Sequence, residues 1–408
     1  MANDLRGTQE ETGMAPGSNL DHRAKGSMTE QQTLRLESPD EQPALWCSPP
    51  PTVDAKGFVP LTEMKLITRV KDGRDRLWQS ENGYLVSAQT TFNTGTTAAF
   101  GDGYYGIAAE GPIYSLQCVD GKGHDFCLPE SGILNFEYLL FNGSEEIWSS
   151  RVIRVSRTES PVSKPVTVHF LHNGTSGAPH GFAMLESLGY KVFHHPIHPD
   201  TPQLDPLLQV IRGSAQKWPV HLVASGRASE ACLEIAQRVS NLASVSIFSG
   251  SALRFTPWEI EGETLPHVVC DHSTVQPRGG SILTTRKVYA EAVADRENRD
   301  RGRIEVEKID CPLHFFSGSD DQIWPSAAFS ELGAQRRKAF GLEERTTHQT
   351  FPSVGYDLGP ELGLPGLPTT ERTLSHESTG FRLALGGKMG RQSRARRACW
   401  EKLIEVLV

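Results

Sequence analysis

Apolar residues follow two rhythms along this chain. Up to about residue 157 they come in short alternating runs broken by turn signals. An example is Lys65-Leu66-Ile67-Thr68-Arg69-Val70, followed by Lys71-Asp72-Gly73-Arg74 and then Arg76-Leu77-Trp78. Such alternation with turn residues between predicts antiparallel strands. From about Pro165 onward, Val166 to Leu171, Lys191 to His194, Val220 to Val223, Ser244 to Phe248, Leu313 to Phe316 and Gln349 to Phe351 read as strands with helical stretches between them. Strands alternating with helices predict a mostly parallel sheet covered on both faces. The expected fold class is therefore α/β over residues 158–408, preceded by a small all-β sandwich over 46–157. Residues 1–45 are rich in Gly, Ser, Gln, Glu and Asp and almost without aliphatic periodicity, so a disordered tail is expected there.

The stretch from Pro219 to Val239 carries the most information. Val220-His221-Leu222-Val223 reads as a buried strand, and Ala228, Ala231, Cys232, Ile235, Ala236 and Val239 lie on one face of a following helix. Between them stands Ala224-Ser225-Gly226-Arg227-Ala228. The pattern Gly-x-Ser-x-Gly marks a nucleophile elbow, where small residues flank a side chain lifted above the sheet. Here the small flanks are present and Gly226 occupies the centre.

Composition narrows the classes of function. The chain has 408 residues, 38% of them apolar, and a net charge of −8, which suits a large globular core and not the clustered Lys and Arg of a nucleic-acid binder. The one basic run, Arg391 to Arg397, reads as a face of the last helix. No stretch approaches the roughly 18 apolar residues of a membrane span and no leader is legible, so a cytoplasmic protein is expected. Seven scattered cysteines suit free thiols in a reducing compartment. His194, His195 and His198 invite a metal reading, but they are expected in a loop after a strand without a partner cluster. No metal and no cofactor are expected.

Longer phrases identify a resemblance. Lys71-Asp72-Gly73-Arg74-Asp75-Arg76-Leu77-Trp78-Gln79-Ser80, Gly103-Tyr104-Tyr105-Gly106-Ile107, Ile304-Glu305-Val306-Glu307-Lys308-Ile309, Ser317-Gly318-Ser319-Asp320-Asp321-Gln322-Ile323-Trp324-Pro325-Ser326 and the closing Gly386-Gly387 ahead of Trp400 resemble the acyl-CoA thioesterases and bile acid-CoA:amino acid N-acyltransferases. The resemblance covers about residues 55–408. It implies an immunoglobulin-like sandwich joined to a dienelactone-hydrolase-like α/β-hydrolase domain, with an acyl thioester, acyl-CoA or carrier-bound, as the small-molecule partner.

Such proteins use a Ser or Cys nucleophile, an Asp and a His in that chain order. Carried over, the nucleophile position falls on Gly226, the acid on Asp321 and the base on Tyr356, within Phe351-Pro352-Ser353-Val354-Gly355-Tyr356. A phenol titrates near 10, which makes it a poor base at neutral pH. Ser225 is a candidate displaced nucleophile against a structural role, and His348 a candidate relocated base. Oxyanion donors are expected from the Arg227 backbone and from Asn173 and Gly174 in the loop His172-Asn173-Gly174-Thr175-Ser176-Gly177. Ser229 and Cys232 read as structural residues of the helix. Two functions follow: transfer of an acyl group from a thioester to water or an amine, or a pseudoenzyme that binds an acyl or polyketide ligand, serves as a partner subunit, or guides a cyclisation.

Overall fold

The computed structural model describes residues 23–24, 32–37, 43–101, 103–121, 125–159, 163–173, 178–198, 200–275, 282–361, 363–368, 373–375 and 382–408. Most of the expected tail lies outside these residues. Three parts of it form strands: Arg23–Ala24 and Ala44–Leu45 each pair with the strand Glu145–Val155, and Thr33–Glu37 (β1) pairs with Thr52–Lys56 (β2). The alternation Thr-Leu-Arg-Leu-Glu explains the last of these, since Leu34 and Leu36 pack on the core while their polar neighbours face out.

Two antiparallel sheets build the amino-terminal half. The larger contains Glu63–Lys71 (β3), Leu77–Leu85 (β4), Ile133–Asn142 (β6) and Glu145–Val155 (β7), hydrogen-bonded in the order β7-β6-β3-β4. The smaller adds Thr91–Asn93 (β5) beside β2. Their buried faces meet, with Tyr84 stacked on Phe92 at 5.7 Å, in one core with Val53, Leu66 and Phe136. The β3–β4 turn is organised by Asp72, whose carboxylate accepts hydrogen bonds from the Arg74 and Arg76 backbones, the Arg76 guanidinium and the Trp78 indole. Burial pushes its pKa up, but those donors outweigh it and hold it at about 2.

The carboxy-terminal half is a six-stranded sheet. Its strands are Thr167–His172 (β8), Lys191–Pro196 (β9), Val220–Ser225 (β10), Leu242–Phe248 (β11), Leu313–Gly318 (β12) and Thr346–Phe351 (β13), in the order β9-β8-β10-β11-β12-β13. All five pairings are parallel. Every residue of β8 and β10 is buried, as expected for strands covered on both faces. The order reverses between β8 and β10, and in open α/β sheets the crevice beyond the strand ends at such a switch point is where ligands bind. Helices Ala178–Ser187 (α1), Asp205–Ala215 (α2), Ala228–Ala236 (α3), Arg286–Ala294 (α4), Arg296–Arg301 (α5), Ser326–Ala339 (α6) and Met389–Val406 (α7) complete the half. Among the described residues no helix is long and apolar enough to cross a membrane.

Helix α7 joins the halves. Glu110, buried in the amino-terminal half, accepts a 2.7 Å hydrogen bond from Ser393 and an ion pair from Arg397. A single core runs from Leu66 and Trp78 through Val168 and Phe170 to Trp400. The basic run at the carboxy terminus is thus a docking face, with Arg396 paired to Asp357 and Arg397 to Glu110.

Candidate functional site

Three strand ends converge beyond the sheet. Gly226 follows β10, Asp321 follows β12 and Tyr356 follows β13. The elbow is built by the backbone: Gly226 has φ +54°, its N–H donates to Phe248 O at 2.9 Å, and its carbonyl accepts from the Ser229 hydroxyl at 2.5 Å. Glycine adopts this left-handed turn at little steric cost. Ser229 also accepts the Ser251 N–H, a structural use of its hydroxyl.

The central relation is steric. A Cβ placed on Gly226 would lie 1.7 Å from the Tyr356 hydroxyl oxygen, 2.8 Å from Tyr356 Cζ and 3.2 Å from Asn173 Nδ2. The phenol therefore fills the room that a nucleophile's side chain would need. Tyr356 is buried, and its side chain hydrogen-bonds Asn173. Burial, reinforced by the carboxyls of Glu361 and Asp321, pushes its pKa up, so it stays a neutral hydroxyl at physiological pH. The backbone around it is braced: its N–H donates to Leu385 O at 2.8 Å, its carbonyl accepts from Ser249 at 2.5 Å, and Gln392 of α7 bonds Gly355 and Asp357 on either side.

Asp321 is fully buried. Its Oδ1 accepts the N–H groups of Ile323 at 2.9 Å and Trp324 at 3.2 Å, while Oδ2 has no hydrogen-bond partner among the described residues. Burial raises its pKa to about 7 against the opposing pull of the Ser326 hydroxyl, those two N–H groups and the Arg286 charge. The Gly386-Gly387 pair has a physical reason here, since a Cβ on Gly386 would meet Asp320 O at 1.8 Å, and Gly387 N–H donates to Asp320 Oδ2 at 2.8 Å.

Ser225, one position before the turn, donates a 2.6 Å hydrogen bond to Glu361 Oε2. Burial pushes Glu361 up to about 7. Both residues are enclosed, and a Cβ on Gly359 would lie 1.9 Å from Ser225 Oγ, so the chain packs tightly over this pair. Sequence reasoning missed Glu361. Its signal was a lone acid in the apolar run Leu358-Gly359-Pro360-Glu361-Leu362, five positions after Tyr356.

Arg227 caps α3. Its guanidinium donates to the Tyr289 hydroxyl at 3.1 Å and lies over that ring, with Glu230 4.0 Å away. Glu230 and Tyr289 were also missed. Buried Glu230 holds the loop after β11 by accepting the N–H groups of Phe255 and Thr256 and the Trp258 indole.

The remaining candidates scatter. Gly174, with Thr175, Ser176 and Gly177, lies outside the described residues. His194 and His195 belong to strand β9 and not to a loop, because parallel pairing with β8 continues through Pro196. His195 shares a 2.9 Å hydrogen bond with His169 of β8, and among the described residues no group of three metal-binding side chains exists. His348 sits within β13, 2.7 Å from Glu331. Cys232 is a core residue of α3, and the seven cysteines are free.

Residues 214–408 match a family model described as BAAT / Acyl-CoA thioester hydrolase C terminal. Human acyl-coenzyme A thioesterase 6 is 23% identical over 232 residues, 55% of this chain and 53% of that protein. The mouse peroxisomal succinyl-coenzyme A thioesterase is 24% identical over 233 residues, 56% of this chain and 53% of that protein. The chain thus matches about half the length of these curated relatives. A solved structure of a putative dienelactone hydrolase from Klebsiella pneumoniae covers 67% of this chain and 92% of its own, at 8% identity and a TM-score of 0.35.

Proposed function

We propose, from the premise that this chain belongs to the acyl-CoA thioester hydrolase and bile acid-CoA:amino acid N-acyltransferase family, that it binds an acyl thioester without forming an acyl-enzyme. One observation carries the reading: the Tyr356 hydroxyl stands 1.7 Å from where a nucleophile's Cβ would begin. Nucleophilic catalysis needs an oxygen or sulfur at that corner and a base beside it. Gly226 supplies neither atom, and a neutral buried phenol is a donor, not a base. In this reading Asp321 keeps the place of the family's acid, and the Arg227 backbone and Asn173 face the acyl carbonyl. Residues 46–157 are read as the immunoglobulin-like sandwich and 158–408 as the hydrolase domain. Cytoplasmic residence fits cysteines that are all free.

A second reading rests on its own observation. Burial pushes the Asp321 and Glu361 carboxyls up to about 7 beside a neutral phenol, and carboxyls raised in this way suit general acid–base chemistry. Such a cluster supports a proton-transfer reaction that needs no nucleophile, as in a cyclisation.

The test is release of free thiol from short, medium and long acyl-CoA substrates, with Asp321→Ala as control, alongside calorimetric binding of the same substrates and labelling by a fluorophosphonate. The expected result is saturable binding, no thiol above the control and no label. Asp321-dependent thiol release, or a label on Ser225, would overturn the non-covalent reading.

A further inference from the structure

The loop 249–256 has two sides. On one, Ser249 bonds the Tyr356 carbonyl; on the other, Ala252 and Leu253 wall a separate cavity of about 320 Å³. That volume lies at the lower end of the roughly 300–1,000 Å³ typical of small-molecule sites. From the geometry we infer that this cavity takes a medium-length aliphatic carboxylate, a ligand independent of the thioester reading above.

The floor is apolar: Ala252, Leu253 and Ile304 are buried. At the rim, Leu332 on α6 and Phe340 just after it are left uncovered, Phe340 with 59% of its surface exposed. A flexible hydrocarbon chain would cover these groups, and burying apolar area is worth about 25 cal/mol per Å².

Three arginines border the same cavity, and they are not equivalent. Arg336 is held by both oxygens of Glu307 and lies over the Phe340 ring, 5.4 Å from its centroid. Arg303 is held by Asp300. Arg299, on α5, makes no side-chain hydrogen bond or ion pair among the described residues. One unmatched guanidinium offers one positive charge and a planar fork of donors, which matches a carboxylate in both charge and shape. A dianionic phosphate would call for a second free cation, and the other two arginines are already neutralised. At about 30 Å³ per water-sized group, the volume holds roughly ten heavy atoms, the size of octanoate.

Isothermal titration of the full chain with sodium octanoate, octan-1-ol and acetate tests the assignment. Octanoate is expected to bind with one-to-one stoichiometry, and the alcohol and acetate at least tenfold more weakly. Arg299→Gln should weaken octanoate at least tenfold with unchanged thermal melting, since its side chain supports nothing else, and Phe340→Ala should weaken it several-fold. Thioester binding should persist in Arg299→Gln, which keeps this test separate from that of the proposed function. No octanoate binding, or equal affinity in Arg299→Gln, would overturn the site. Loss of octanoate binding in Tyr356→Phe would place the ligand at the Gly226 corner and overturn it equally.

Discussion

Two corners of the same sheet edge differ in what holds them. Around Asp321 the arrangement is made by main-chain groups: the N–H donors of Ile323 and Trp324 and the close approach of Gly386 to Asp320. The elbow at Gly226 keeps its main-chain geometry as well, with positive φ and a bond to Phe248. Its side chains form a fitted pair: nothing at 226, and at 356 a ring whose hydroxyl takes that volume. Main-chain hydrogen bonds hold one corner, and close packing of a ring against a bare backbone adds to them at the other.

The most forceful way to break this comparison is to restore a side chain at the elbow. Gly226→Ser should cost on the order of 3 kcal/mol or more in chemical denaturation, through overpacking against the phenol and a left-handed residue that is no longer glycine. Adding Tyr356→Ala should recover a large part of the loss, giving a coupling of about 1–3 kcal/mol in a double-mutant cycle. A neutral Gly226→Ser would show that the ring moves aside freely.

A smaller effect probes the other corner. Asp321→Ala leaves two N–H groups without their acceptor and should cost about 1–3 kcal/mol. Asp321→Asn keeps an acceptor oxygen and should cost less than about 1 kcal/mol by the same reasoning. Equal losses would mean that the charge, and not the hydrogen bonds, holds the loop.

Acidity links the corners. Asp321 and Glu361 have folded-state pKa values of about 7, above their ordinary carboxylate range. The folded state therefore holds more protons than the unfolded chain between about pH 4 and 7, and stability contributed by the protonated forms is lost as pH rises through that window. The fall should be on the order of 3 kcal/mol per group, measured by denaturation midpoints from pH 4.5 to 8. Glu361→Gln should flatten part of the slope, and a stability that rose over this interval would contradict the sign. Least affected should be Tyr356→Phe, which removes one hydrogen bond to Asn173 and should cost about 1 kcal/mol.

Much of the carboxy-terminal half was legible because its four central strands are buried almost throughout and read as largely apolar runs. Val220 to Val223 was extended only to Ser225, and Leu313 to Phe316 only to Gly318. The strand Thr33–Glu37 was hidden by its setting, since two leucines in a polar tract carry little weight until a partner strand satisfies their backbone. The strand expected over Lys191 to His194 runs on through His195 to Pro196, since an edge strand tolerates proline at its end. At the site, Gly226, Asp321 and Tyr356 were found by position. Contact between Tyr356 and the empty side of Gly226 is tertiary and has no sequence signature. The same holds for Ser225 and Glu361, which are 136 positions apart.

The Gly226–Tyr356 contact also governs the order in which mutations can accumulate. A serine arriving first collides with the ring. A smaller side chain arriving first at 356 opens that space. A side chain at 226 therefore has to follow, not precede, a smaller one at 356.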